Sequence, residues 1–161
     1  MIKRRSIRGF TLIEVLIALV VLTVGLLGMA ILMLTSLQSS QGAYMRSQAS
    51  LLAYDIVERM RTNYTQAINT NDYTLDASAD DPAEPDCADS ETGCDAAGQA
   101  ELDMFQWRTA LSSSVPGSSA TISRSNENEY QIDITWSEAG EQLVDSNGNE
   151  LAASFSLRVN L

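Results

Sequence analysis

The feature that most constrains this chain is a run of apolar residues from Phe10 to Leu34, 25 residues long and broken by one charge, Glu14. At 1.5 Å per residue a helix of that length reaches about 37 Å, enough to cross a hydrocarbon core of about 30 Å with some tilt. Four cations, Lys3, Arg4, Arg5 and Arg8, precede it, and the next charge after Glu14 is Arg46. The positive-inside rule keeps the basic end in the cytoplasm and carries the remainder across the membrane. A cleavable secretory signal has a similar basic start, and Gly28-Met29-Ala30 offers small residues for cleavage. Its apolar stretch, however, is only about 7–15 residues long. A plain single-pass anchor fits the length but leaves Glu14 without a reason. A carboxylate inside an apolar span costs about 2.5–3.5 kcal/mol at bilayer centre, less near an end where it snorkels. An acid retained there calls for a partner.

Composition removes several kinds of chemistry. The chain has 161 residues, with 21 acidic and 10 basic side chains and a formal charge of −11. It has no His, so no Ser-His-Asp or Cys-His pair and no His-ligated metal site can be built. Its one Lys is Lys3, which leaves the body without a Schiff-base or phosphate-loop lysine. Beyond residue 9 the charge is −15, and phosphate backbones need clustered cations, so no nucleic-acid partner is expected. The composition favours anchoring, assembly or binding over catalysis, with no catalytic residue, cofactor or metal assigned.

The helical pattern continues past the apolar run. Gln38 to Arg61 holds no Pro and one Gly, Gly42. Leu37, Tyr44, Leu51, Leu52, Ile56 and Met60 recur at helical spacing and predict one apolar stripe on which a globular head packs. A helix from Phe10 to about Thr62 would be ~80 Å long. Gly25 and Gly28 each weaken it by up to about 1 kcal/mol relative to Ala. They read either as a point of unwinding when subunits pack or as small-residue contacts for another membrane helix.

From Thr62 to Trp107 there are 11 acids and no Lys or Arg, and Asp80-Asp81-Pro82-Ala83-Glu84-Pro85-Asp86 reads as a solvated loop. Calcium is the hard cation that such carboxylates would take, but no ligand spacing supports it. Asp145-Ser146-Asn147-Gly148-Asn149 lacks the Gly and the bidentate Glu of a calcium loop at the required places; Asn147-Gly148 reads as a hairpin turn. Cys87 and Cys94 lack CxxC spacing, so neither a redox motif nor a zinc ribbon fits. On the far side of the membrane a disulfide between them persists, and closing so short a loop stabilises by about 2–2.5 kcal/mol in the chain-entropy account.

Gln99 to Ser113 predicts a second helix with Ala100, Met104, Trp107 and Leu111 on one face, ended by Val115-Pro116-Gly117. The period then changes to two. Ala120–Ser123 predicts a short strand. Tyr130, Ile132, Ile134 and Trp136 alternate with polar residues, as do Phe155, Leu157, Val159 and Leu161. These are half-buried antiparallel strands whose apolar face the long helix can cover. The expected fold class is α+β: one long N-terminal helix packed on a small antiparallel sheet, with one further short helix.

Gly9-Phe10-Thr11-Leu12-Ile13-Glu14, behind a short basic leader and ahead of an apolar helix, resembles the N-terminus of type IV prepilins. The resemblance implies a type IV pilin-like fold and cleavage after Gly9 by the prepilin peptidase, which also N-methylates the new first residue, Phe10. It implies that Glu14 serves methylation or assembly. Cleavage would create an α-amino cation at Phe10, and Glu14 of one subunit could pair with that amine on a neighbour. Setting register is the best-attested use of such a buried pair. Val21 to Ala30, the Cys94–Pro116 stretch with Asp103, Trp107 and Leu111, the Ile134-Thr135-Trp136 strand and the terminal Phe155-Ser-Leu-Arg-Val resemble the PilV-type minor pilins. That implies a minor pilin working with other minor and major pilins in pilus biogenesis, adhesion or twitching motility. It would be held in the inner membrane with its head in the periplasm and would later enter the extracellular filament. The corresponding division is a cleaved leader 1–9, a membrane and assembly half 10–36, a periplasmic half 37–62 and a head 63–161 with its acidic loop at 72–95. Two other expectations share parts of this pattern: a type II secretion pseudopilin, and a membrane-anchored binding or adhesive domain using the acidic loop.

Overall fold

A computed structural model describes residues 9–78, 82–125, 128–137, 143–144 and 150–161. The basic leader residues Lys3 to Arg8, Asp80-Asp81 of the acidic loop and the Asn147-Gly148 turn lie outside these. Packing divides the chain into two units, Met1–Ser40 and Gln41–Leu161.

The first unit is helical from Leu12, where α1 (Leu12–Thr62) begins. Every described residue of the unit is exposed, including its Leu, Ile, Val and Met side chains. The helix passes through Gly25 and Gly28 without a break. Thr23 and Thr35 satisfy their own hydroxyls: Thr23 donates to Val20 O at 2.8 Å and Thr35 to Ile31 O at 3.0 Å. That leaves the side-chain surface apolar, as a segment removed from water requires.

The second unit holds the rest of α1, then α2 (Tyr64–Asn69), a 3₁₀ turn (Asp86–Asp89), α3 (Ala96–Ser114) and five strands. The strands are β1 (Ser119–Arg124), β2 (Glu129–Trp136), β3 (Leu143–Val144), β4 (Glu150–Leu151) and β5 (Ala153–Asn160). Strands β1, β2 and β5 form an antiparallel sheet with β2 in the centre, and β3 pairs with β4 as a separate two-stranded ribbon. In β2 the alternation is complete: Tyr130, Ile132, Ile134 and Trp136 are buried and the residues between them are half-buried. One core joins these residues to Ile56, Val57 and Met60 of α1, Met104, Trp107 and Leu111 of α3, and Tyr73.

The architecture is the expected α+β one, with two differences in detail. Helix α3 starts three residues before Gln99, because the Asp95 carboxylate caps it by accepting from Gly98 N–H at 2.8 Å. Two further helices follow α1 where one was expected: Asn63 O accepts from Gln66 and Ala67 N–H, both at 3.1 Å, and starts the short α2.

The apolar stripe of α1 needs a larger correction. Leu37, Tyr44 and Leu51 are not core but 56%, 59% and 59% exposed. The buried positions are Ala49, Ala53, Ile56, Val57 and Met60, with Met45 and Leu52 packed at the margin. The physical reason is close approach. Trp107 Nε1 of α3 donates to Leu52 O of α1 at 2.8 Å, and only a small side chain on that face lets another element come so near the helix backbone.

Candidate functional site

Two places carry candidate functional residues, one in each unit. In the first, Gly9 and Phe10 lie ahead of the helix, and Phe10 is 83% exposed. Among the described residues nothing lies within 4 Å of where a side chain on Gly9 would stand. Thr11 O accepts from Glu14 N–H at 3.1 Å and from Val15 N–H at 3.4 Å, which makes Thr11 the residue from which the helix starts. Glu14 falls in the first turn, where the positive end of the helix dipole favours a carboxylate. Thr11-Leu12-Ile13-Glu14 also has the Ser/Thr-x-x-Glu pattern that marks a helix start, a signal in the sequence that the prepilin resemblance overshadowed. Glu14 is thus suited to begin the helix. From Val15 to Leu34 the surface is apolar, the whole stretch to Ser40 is exposed, and α1 is long and apolar enough to cross a membrane.

In the second unit a polar cluster ties α1 to α3. Asp103 of α3 is the buried acid of the core, 4% exposed. It accepts from Tyr73 Oη at 2.7 Å, Gln99 Nε2 at 2.9 Å and Arg59 Nη1 at 3.3 Å. Arg59 of α1 spreads its guanidinium over Asp55 at 2.9 Å and Gln106 Oε1 at 2.9 Å as well. Asn63 Nδ2 donates to Tyr73 Oη at 3.2 Å and to Ala96 O at 2.7 Å. Burial, then the bond to Asp103, pushes the Tyr73 hydroxyl well above the ordinary tyrosine range, so it acts only as a neutral donor and acceptor. Each group in the cluster has a partner, and a satisfied network of this kind fixes one arrangement of packed helices. No nucleophile or exposed base belongs to it, so its chemistry is positional. The sequence signal for it was Asp103 itself, an acid on the apolar face of α3. Its partners Arg59, Asn63 and Tyr73 come from elsewhere in the chain and had no local pattern.

At the start of α3, Cys87 and Cys94 are joined by a disulfide with Cα atoms 5.0 Å apart. A side chain on Gly98 would come within 2.8 Å of Cys87 Sγ, so glycine there makes room for the bridge. Arg124 of β1 and Tyr130 of β2 serve the end of α2. Arg124 Nη1 donates to Ala67 O at 2.9 Å and to Thr70 O, and Tyr130 Oη donates to Ala67 O at 2.7 Å. A cation at a helix C-terminus meets the negative end of its dipole. Among the described residues no three Asp, Glu or Cys side chains gather as a metal site.

Comparison with known proteins gives two adjoining matches. Residues 4–30 match the prokaryotic N-terminal methylation motif, a span that contains Gly9, Phe10 and Glu14. Residues 31–105 match the family described as Type IV pilin Tt1218. No curated protein and no solved structure matches the chain. The chain is thus similar to the type IV pilins over residues 31–105 and to the N-terminal methylation motif just before them, and its long N-terminal helix and small antiparallel sheet agree with that likeness.

Proposed function

We propose that this chain is a minor pilin: a low-abundance subunit made as a membrane-held precursor and then built into a type IV pilus. The prepilin peptidase cuts after Gly9 and methylates Phe10, removing leader 1–9. Residues 10–36 hold the precursor in the inner membrane, with the basic leader cytoplasmic, and later pack among neighbouring subunits. Residues 37–62 carry the head, 63–161, on the periplasmic side. In this role the protein is a substrate of the peptidase and a structural partner of other minor and major pilins, supporting assembly, adhesion or twitching motility.

The observation that carries the proposal is the exposure of α1 from Leu12 to Ser40. Each buried apolar side chain there is worth about 1.5–3 kcal/mol over an exposed one, so the segment is stable only with lipid or other helices around it. A pilin has both in turn: the bilayer first, the filament later. Glu14 adds selectivity. Once inside the filament its carboxylate needs a cation, and the new amine of a neighbour's Phe10 supplies one.

The test is intact mass and N-terminal sequencing of the protein recovered from its own cells, from membranes and from sheared filaments. A chain that begins at N-methyl-Phe10 and is present in filaments is the expected result. A chain that begins at Met1 or after Ala30, confined to membrane or periplasm, would replace the proposal with an anchored or secreted binding domain. Processed chain found with a secretion complex and missing from pili would make it a pseudopilin. Glu14→Ala is expected to leave cleavage intact and lower filament incorporation at least tenfold; normal incorporation would remove Glu14 from assembly.

A further inference from the structure

The two edges of the head sheet are treated differently. On the β1 side, Ile122 exchanges both backbone hydrogen bonds with Leu75, at 2.9 and 2.8 Å, so a neighbouring segment closes that edge at its middle. On the β5 side, among the described residues, nothing pairs with the strand. The register shows which groups face outward. Leu161 N–H donates to Asn128 O at 2.9 Å, and β5 pairs with β2 so that Asn160 lies opposite Glu129 and Val159 opposite Tyr130. Hydrogen-bonded and non-hydrogen-bonded pairs alternate along an antiparallel ladder. Val159, Leu157 and Phe155 therefore bond to β2. Ser154, Ser156, Arg158 and Asn160 turn their N–H and C=O groups away from it.

The side chains indicate the same gap. The inward residues of β2 are buried, whereas Phe155, Leu157, Val159 and Leu161 of β5 are only partly so, although they share the same face. An eight-residue edge with no proline and one charge, Arg158, is also poorly defended against strand addition.

We propose that the outer edge of β5 is a docking edge that takes up an extended, alternately apolar and polar segment of a different pilin-class subunit as a fourth strand of the head sheet. Its apolar residues would cover Phe155, Leu157 and Val159. Arg158, the one cation among the described residues on the polar outer face of the sheet, already donates to Gln131 Oε1 at 2.8 Å and meets Glu129 at 3.6 Å, so the incoming strand needs no acid beside it. A second copy of this chain fits poorly in two ways. Pairing β5 with β5 places a two-fold axis normal to the sheet, which reverses any helix packed along that sheet. Two subunits held in one membrane by α1 run parallel instead. Repeating the sheet by joining β5 to the next copy's β1 meets the edge that Leu75 already occupies. This inference rests on the proposed assembly role, and its test separates the two.

Amide exchange is measured on the full chain, first purified alone in detergent and then recovered with its partners from membranes and from sheared filaments. The amides of Ser154, Ser156, Arg158 and Asn160 are expected to exchange freely in the isolated chain and to slow at least a hundredfold in an assembled fraction. The Ile122 amide, already bonded to Leu75, serves as the internal control. Free exchange at all four in both fractions overturns the inference, while absence of the chain from filaments bears on the assembly role alone. Ser156→Pro removes only an outward N–H, so it is expected to fold and melt like the parent yet lose this protection. Ser156→Pro that retains it overturns the inference. Cross-linking through Ser154→Cys identifies the occupant. A partner peptide from another pilin-class chain supports the proposal; a second copy of this chain, or a chain of any other class, overturns it.

Discussion

The two halves of α1 are one uninterrupted helix built to opposite rules. From Leu12 to Ser40 the apolar residues are large and surround the helix, and none is buried. From Gln41 to Thr62 the buried face begins with two alanines and continues through Ile56, Val57 and Met60. The first half is hydrophobic because of what will surround it; the second because of what it already touches. High hydropathy thus marks the part of the helix that no other described residue of the chain buries, and the intramolecular core is marked by small residues that a hydropathy scan passes over.

The sharpest way to break this comparison is a matched pair of truncations. Ile56→Ala should lower the stability of the full chain in detergent by about 2–5 kcal/mol, since it removes a buried side chain and leaves a cavity. Ile17→Ala, on the exposed half, should leave the denaturation midpoint unchanged. If both variants melted alike, the division of the helix would be wrong.

Asp103→Ala tests whether the second half is held by polarity as well as packing. It would strand Arg59 and Tyr73, at a cost of about 2–4 kcal/mol, less than for a fully buried pair because the Arg59 side chain is 28% exposed. Equilibrium denaturation at neutral pH measures it. The same network predicts an alkaline limit. Tyr73 is held neutral above the ordinary range, chiefly by burial, so below pH about 10 it is protonated in both folded and unfolded chains and its stabilisation is complete. Above that the unfolded chain releases its proton first and stability falls. Tyr130, also raised by burial, acts in the same direction. Melting temperature should decline above pH 10, with a shallower slope in Tyr73→Phe; equal slopes would show that Tyr73 does not govern the loss.

The smallest effect belongs to the outward side of the second half. Tyr44→Ala and Leu51→Ala should each change stability by less than about 0.5 kcal/mol, as exposed surface substitutions do. A loss of 2 kcal/mol in either would return those residues to the core where their spacing first placed them.

Much of the fold was legible because periodicity is a local property. The alternation of Tyr130 to Trp136 and of Phe155 to Leu161 specified β2 and β5, and the apolar face of α3 appeared at its expected spacing. The stripe on α1 differs from its spacing of large apolar residues because that spacing does not weigh Ala49 and Ala53, whose value lies in letting Trp107 approach. The helix starts depend on single residues that periodicity does not weigh: Asp95, whose carboxylate caps α3, and Asn63, whose carbonyl opens α2. Of the polar cluster only Asp103, an acid on the apolar face of α3, leaves a local sign. The cluster joins residues 44 and 30 positions apart, Arg59 and Tyr73 with Asp103, and no local pattern records such a meeting. At the N-terminal site the residues and their order are plain from the sequence, since Gly9 to Glu14 form one contiguous segment.

The bond from Trp107 to the carbonyl of Leu52 gives the molecule an optical gauge of its own. An indole sealed in a core emits at shorter wavelength than one in water, and both tryptophans, Trp107 and Trp136, are sealed. With Trp136 replaced by Phe, the remaining emitter sits at the seam between α1 and α3. Its colour then tells whether that seam is shut, in detergent, in a membrane or in a sheared filament, with no label attached.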